Sequence, residues 1–294
     1  MPPKPSPPRL THFLAIPLTT PTSRPQLHQA LSLFREKTAQ PNIASLPDGI
    51  PDQAIRPLGT LHLTLGVMSL STPEKVQGVL NLLNSLDLGE VLAGVQPANI
   101  RAGDGNFLKE GGGFDPVVKE NVNANIKDKG KSLSLSLSSS SESQQKDANP
   151  PPIHITLRGL QSMHDPSKTS VLYTSPLDPD LRLYRFCVKL KEVFGEFLVG
   201  ETRPLLLHAT VVNTVYVKGR TGLGGSRGRG RGGREAGGRG RLVLDARELV
   251  REWEDFVWMR DVRVERVAVL RMGAKVVENG EEEYEVEGEV EMPK

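Results

Sequence analysis

The chain has 294 residues, a formal net charge of +2 and 37% hydrophobic residues. Its 29 glycines and 23 prolines point to a folded core diluted by loops. A single cysteine, Cys187, excludes an internal disulfide framework, no apolar run is long enough to cross a bilayer, and the opening MPPKPSPPRL lacks the apolar stretch of a secretory signal. The expectation is an intracellular chain, in nucleus or cytoplasm, that makes no membrane contact.

Residues 1–9 are Pro-rich and read as disordered. Residues 10–18 (LTHFLAIPL) read as a short buried strand. Residues 24–38 follow as a helix, with Leu27, Ala30, Leu31 and Phe34 at helical spacing. A Pro-punctuated loop runs from Gln40 to about Gly59. The run TLHLTLGVMSL at 60–70 is a strong strand, and Pro73 opens a helix to about Leu88 behind the candidate caps Ser71 and Thr72. The next strand is placed at 91–101. From about 103 to 152 the composition changes to glycines, an SLSLSLSSSSES run and a triple proline, which reads as a disordered insertion.

Folded sequence resumes at 153–160 (IHITLRGL), with 170–174 as its pairing partner. The segment 178–198 is predicted helical, with Asp178 at the cap, Pro179 at the first helical position and Cys187 on the apolar stripe as a packed core thiol. The run LLLHATVVNTVYV at 205–217 is the second strong strand. Residues 218–241 are Arg-Gly low complexity and read as a second disordered insertion. A helix at 245–258 and a strand at 261–272 come next, and Asn279-Gly280 signals a hairpin turn. The final alternation of Tyr284, Val286, Val290 and Met292 with glutamates reads as a half-buried strand with its acidic face in water. Each half of the chain thus repeats one order, strand and helix around a strand that carries His-x-Thr.

Side chains two apart on a strand share a face. His62 and Thr64 therefore point one way while Leu61, Leu63 and Leu65 point into a core, and His208 and Thr210 stand likewise against Leu207, Ala209 and Val211. Opening a phosphodiester needs a base to activate water and an acid to protonate the departing ribose oxygen. Two histidines fill those opposite roles near neutral pH, and threonine hydroxyls donate to the non-bridging oxygens. No cofactor is required, and the pattern leaves open which histidine is the base. Tyr216 shares the parity of His208 and Thr210, so it is a candidate for stacking on a base, with core packing or a rim position as the equal alternative. A third pair, His154 and Thr156, has the same local form and is not favoured. His12 either borders the groove or plays a structural part, and His28 and His164 read as surface residues.

HLTL at 62–65 and HATV at 208–211 resemble the paired motifs of the 2H phosphoesterase superfamily, which includes the 2′-5′ RNA ligase-like proteins. The strings LHLTLGVMSL (61–70), RGLQSM (158–163), VLYTSPL (171–177) and LLHATVVNTVY (206–216) resemble the A-kinase anchor protein 7-like phosphoesterase domain. The last of them is similar to the version of that domain in subunit 1 of the activating signal cointegrator 1 complex. The resemblance covers roughly 10–102, 151–217 and 242–292. It implies a bilobal α+β fold, two antiparallel sheets with flanking helices about a pseudo-twofold axis, and the motif set His62, Thr64, His208 and Thr210. No KH-type RNA-binding module is read ahead of the domain, and A-kinase anchoring is not carried over.

Two functions are expected from this pattern. One is a metal-independent phosphodiesterase for a cyclic phosphate or a 2′-5′-linked nucleotide or RNA end. The other is a nucleotide- or RNA-binding subunit of a transcription-coactivator or nucleic-acid-repair complex. The Arg-Gly tract either touches RNA through phosphates and arginine stacking or is a tolerated loop expansion.

Overall fold

The computed structural model describes residues 8–39, 49–95, 150–200, 204–217 and 242–294. Residues 1–7, residues 103–149 of the first expected insertion and all of the second at 218–241 lie outside the described residues.

Two four-stranded antiparallel sheets form the molecule. The first uses β1 (His12–Pro17) and β2 (His62–Met68). The second uses β3 (His154–Ser162), β4 (Val171–Leu177), β5 (Ala209–Asn213) and β6 (Val257–Arg263), in the order β5-β4-β3-β6. The chain then returns to the first sheet with β7 (Arg266–Arg271), makes the small hairpin β8 (Lys275–Val276) and β9 (Glu282–Glu283), and ends on β10 (Val286–Glu291), giving the order β10-β7-β1-β2. Both His-x-Thr segments therefore lie on edge strands. The helices are α1 (Arg24–Ala39), α2 (Pro73–Ser85), α3 (Leu88–Ala93), α4 (Arg182–Val193) and α5 (Arg247–Glu252).

The halves are interlocked. Helix α1 from the first half packs on β6 of the second sheet, and α4 from the second half packs on β2 of the first. Phe34 of α1 meets Trp253 and Trp258 at ring-centroid distances of 4.9 and 5.3 Å. A large apolar core results, running from Leu14 and Leu63 through Cys187 to Trp258, beside a smaller separate cluster of Phe13, Ala15, Ala268 and Leu270.

The same exchange covers part of the sheet edges at β5 and β2. Ile55 bridges Val212 and the Arg56 N–H donates to the Val211 carbonyl at 2.8 Å, so a first-half segment pairs with β5. Leu198 bridges Met68 and the Val199 N–H donates to the Val67 carbonyl at 2.8 Å, so a second-half segment pairs with β2. Part of each of these two edges is thus paired within the molecule rather than left to recruit another chain.

Several elements depart from the sequence pattern, each for a local reason. The expected strand at 91–101 opens as helix α3. Asp87 caps it by accepting from the Gly89 and Glu90 N–H groups, and Leu88 and Leu92 are buried four residues apart; residues 96–101 lie outside the described residues. Asp178 does accept from the first free amides of α4, those of Leu183 at 3.0 Å and Tyr184 at 2.7 Å. The helix nevertheless starts only at Arg182, behind Leu181 in the left-handed region (φ 56°), so Pro179 is not its first residue. The strand expected at 205–217 is regular only from Ala209 to Asn213. There the Asn213 side chain accepts from the Val215 N–H and turns the chain into a 3-10 turn, Thr214–Tyr216. The helix expected at 245–258 is shorter, Arg247–Glu252. The strand expected at 261–272 is two strands in different sheets, β6 and β7, with Val264 between them donating its N–H to the Ile153 carbonyl. The hairpin at Asn279-Gly280 forms as expected, with Gly280 at φ 81°.

Gly159 marks the irregularity in β3. It sits at φ 75°, donates to the Phe256 carbonyl and accepts from the Trp258 indole at 2.8 Å, and an added Cβ meets the Glu254 carbonyl at 2.7 Å. Gly159→Ala is expected to destabilise the protein by about 1–3 kcal/mol, read as a lower urea midpoint by tryptophan fluorescence.

Candidate active site

The two edge strands β2 and β5 lie beside each other. On β2, His62 and Thr64 are half-buried while Leu61, Leu63 and Leu65 are buried, and His208 and Thr210 alternate in the same way with Leu207, Ala209 and Val211. The period-2 reading of both segments is thus reproduced, although His208 precedes the first regular residue of β5 by one.

The two imidazoles are held alike. His62 Nδ1 bonds to the Thr60 carbonyl at 2.7 Å and His208 Nδ1 to the Leu206 carbonyl at 2.9 Å, in each case the residue two before it. A carbonyl only accepts, so each Nδ1 carries the proton and donates. In the neutral ring Nε2 is then left with its lone pair. Each ring also leans on an aromatic from the neighbouring strand: Phe13 of β1 lies 4.8 Å from His62 and Tyr173 of β4 lies 5.3 Å from His208.

The surroundings are less alike. His62 has a second aromatic, Tyr284, edge-on at 5.3 Å. The Tyr284 hydroxyl accepts from Arg56 Nη2 at 3.3 Å, and the Arg56 guanidinium lies 4.0 Å over the ring of Tyr216. Burial lowers the His62 pKa from its ordinary 6.5 to about 4, against the pull of the Thr60 carbonyl, and the positive charges of His208 and Arg56 lower it further. Tyr284 links His62 to Arg56, its ring against the imidazole and its hydroxyl bonded to the guanidinium. Burial also raises the Tyr284 hydroxyl, keeping it protonated.

The other sequence candidates separate from this cluster. Tyr216 does not continue the β5 face, because the 3-10 turn breaks the parity; it reaches the cluster through Arg56 instead. Its side chain is 42% exposed. His154 is exposed on β3, and the Thr156 hydroxyl is occupied by the Asp261 N–H at 3.0 Å. His12 stands at the opposite end of β1 from Pro17, the residue paired with His62. It is buried against Glu287 at 3.2 Å, a structural contact. His28 and His164 are exposed. Cys187 is fully buried, which raises its pKa and keeps it a thiol.

Sequence reasoning missed Phe13, Tyr173, Arg56 and Tyr284. The first two hide inside strands as ordinary apolar positions. Arg56 lies in a Pro-bounded loop without periodicity, where its only signal is a charge inside the apolar string AIRPL.

The AKAP7 2′5′ RNA ligase-like domain matches residues 10–292. Solved structures similar to the chain include a phosphoesterase (14% identity, 98% of this chain and 100% of that one, TM-score 0.44). Escherichia coli LigT complexed with 3′-AMP matches at 15% identity over 98% of this chain and 100% of that one, with TM-score 0.43. The protein TT0787 of Thermus thermophilus matches at 15% identity over 96% of this chain and 97% of that one, with TM-score 0.41. No curated protein matches significantly.

The depressed His62 pKa has a consequence for stability. The unfolded chain takes up this proton near 6.5, the folded chain only near 4. Between those values acid favours the unfolded state, so this contribution is intact above the upper value and declines as pH falls through the window. His62→Asn, whose amide can still donate to the Thr60 carbonyl, is expected to flatten that part of the profile. Melting temperature against pH, compared between the two proteins, measures it.

Proposed function

The chain belongs to the AKAP7 2′5′ RNA ligase-like domain family, and from that premise we propose that it is a phosphodiesterase of the 2H type acting on a cyclic phosphate or a 2′-5′-linked nucleotide or RNA end. The observation that carries this reading is the matched pair of imidazoles, each with Nδ1 tied to the carbonyl two residues back and each two residues from a threonine on the same face.

In the proposed reaction one Nε2 takes a proton from water as its oxygen attacks phosphorus. The bond from phosphorus to the ribose oxygen breaks, and the other imidazolium protonates that oxygen. His62 is assigned the base, because its lowered pKa leaves it neutral at neutral pH. His208 is then the acid. A bound phosphate offsets the positive neighbours that depress His62 and so strengthens it as a base once substrate is present. The hydroxyls of Thr64 and Thr210 donate to the non-bridging oxygens, where charge accumulates. Two imidazoles supply both proton transfers, so the reaction as proposed runs without a metal.

Tyr216 is proposed to stack on a base next to the phosphate, its ring being exposed at the edge of the cluster. The Arg-Gly tract 218–241 begins two residues later and is proposed to contact RNA backbone. The similarity of residues 206–216 to the cointegrator subunit supports a coactivator complex as a setting for this activity.

Hydrolysis of a panel of 2′,3′-cyclic nucleotides and 2′-5′ oligonucleotides in EDTA tests the reading. Turnover is expected to survive the chelator. His62→Ala and His208→Ala are each expected to reduce kcat/KM by about 10²–10⁴-fold. Thr64→Val and Thr210→Val are expected to lose about 10²-fold or more, with the serine variants retaining most activity. Nucleotide binding without turnover, weakened by the same variants, points instead to a binding subunit; activity indifferent to both histidines sinks the assignment.

A further inference from the structure

Arg56 is 5% exposed, yet among the described residues no carboxylate lies within ion-pair distance of it. The acid nearest in sequence, Asp52, is engaged outward by Arg35 at 3.0 Å, and Arg35 also donates to the Arg56 carbonyl at 3.4 Å. Among the described residues, the Arg56 side chain meets the Tyr284 hydroxyl and the face of Tyr216. Both partners are neutral. A buried cation without a counter-charge is costly, and neither a phenol nor a ring face supplies one.

The location of this charge gives it meaning. The Arg56 backbone is pinned to Val211, the residue after Thr210, and its guanidinium donates to Tyr284, whose ring packs edge-on against His62 at 5.3 Å. The cation therefore stands at the seam between the two His-x-Thr strands, among groups that are themselves neutral or positive. Inside protein its field is screened less than at a surface.

We infer that Arg56 is a phosphate-binding determinant of this groove, its guanidinium supplying the fixed positive charge for the phosphate of a bound nucleotide. Tyr216 and Tyr284 position it, one by stacking and one by hydrogen bond. The inference rests on the nucleotide-phosphate reading of the groove but not on turnover. It gives the groove a fixed charge that the His62 imidazole, kept neutral by burial, does not supply in the unliganded protein. Lysine is a poor substitute, since it neither stacks flat on Tyr216 nor presents a planar fork.

The test uses inorganic phosphate and adenosine 2′-monophosphate, with binding read by calorimetry and by the rise in melting temperature. Arg56→Met keeps the apolar stem and removes the charge. It is expected to weaken both probes by at least about tenfold and to lose most of the ligand-induced rise in melting temperature. Its melting temperature without ligand is expected to be no lower than wild type, because an unpaired buried charge has been removed. Arg56→Lys is expected to bind with intermediate affinity. Unchanged affinity in Arg56→Met, or no binding of either probe to wild type, overturns the inference. So does an Arg56→Met protein that melts well below wild type while Arg56→Lys binds like wild type, which assigns the residue to holding the halves together. A failed diesterase assay alongside Arg56-dependent phosphate binding rejects catalysis and leaves this inference standing.

Discussion

An edge strand presents a row of backbone donors and acceptors that must be paired, covered or left in water. This protein places both His-x-Thr segments on edges, β2 and β5, and then covers part of each edge with a short segment from the opposite half. Ile55 and Arg56 lie on β5; Leu198 and Val199 lie on β2. Those few backbone contacts fix the relative position of His62 and His208. Helix exchange reinforces them, since α1 packs on β6 and α4 on β2. Neither sheet can keep its core and move away from the other, because each is roofed in part by its neighbour's helix. The groove is consequently a property of the whole chain rather than of either half.

The local anchoring of each imidazole is equally economical. A backbone carbonyl two residues back costs no extra side chain and settles the tautomer. Phe13 and Tyr173, one strand in from each edge, limit the ring from the side. Both histidines are thus held by the strand that carries them and by the strand beside it. That is why the arrangement survives in two segments with little residue-by-residue similarity.

What the sequence revealed follows the same division. Alternation along HLTL and HATV exposes which side chains face the groove, because strand parity is a local property. The helix at 24–38 is also legible from apolar spacing, and the start of the next from Thr72 and Pro73, although that helix ends at Ser85 rather than about Leu88, where a separate helix opens. Features set by tertiary contacts are not. Nothing in the apolar run 261–272 says that Val264 bonds to Ile153 and that the chain then changes sheets. Asp178 reads correctly as a capping residue but misplaces the helix start, because Leu181 takes a left-handed conformation that side-chain type does not predict. Tyr216 is brought near the groove, yet by a turn rather than by strand parity. Arg56 carries no periodic signal, because its position is defined by β5, far along the chain from it.

The pseudo-symmetry ends where chemistry requires a difference. Two identical imidazoles in identical surroundings have no reason to divide the labour of acid and base. Here the frames match but the neighbours do not: His62 has Tyr284 and the Arg56 charge beside it, and burial holds its proton affinity down. Tyr284 arrives from the C-terminal return of the chain into the first sheet, on the connection between β9 and β10. That return gives the first sheet an element with no counterpart beside His208 among the described contacts. It also brings the hydroxyl that orients Arg56. The C-terminal strands therefore do more than complete a sheet. They make the surroundings of the two histidines different, which is what the proposed reaction uses to tell base from acid.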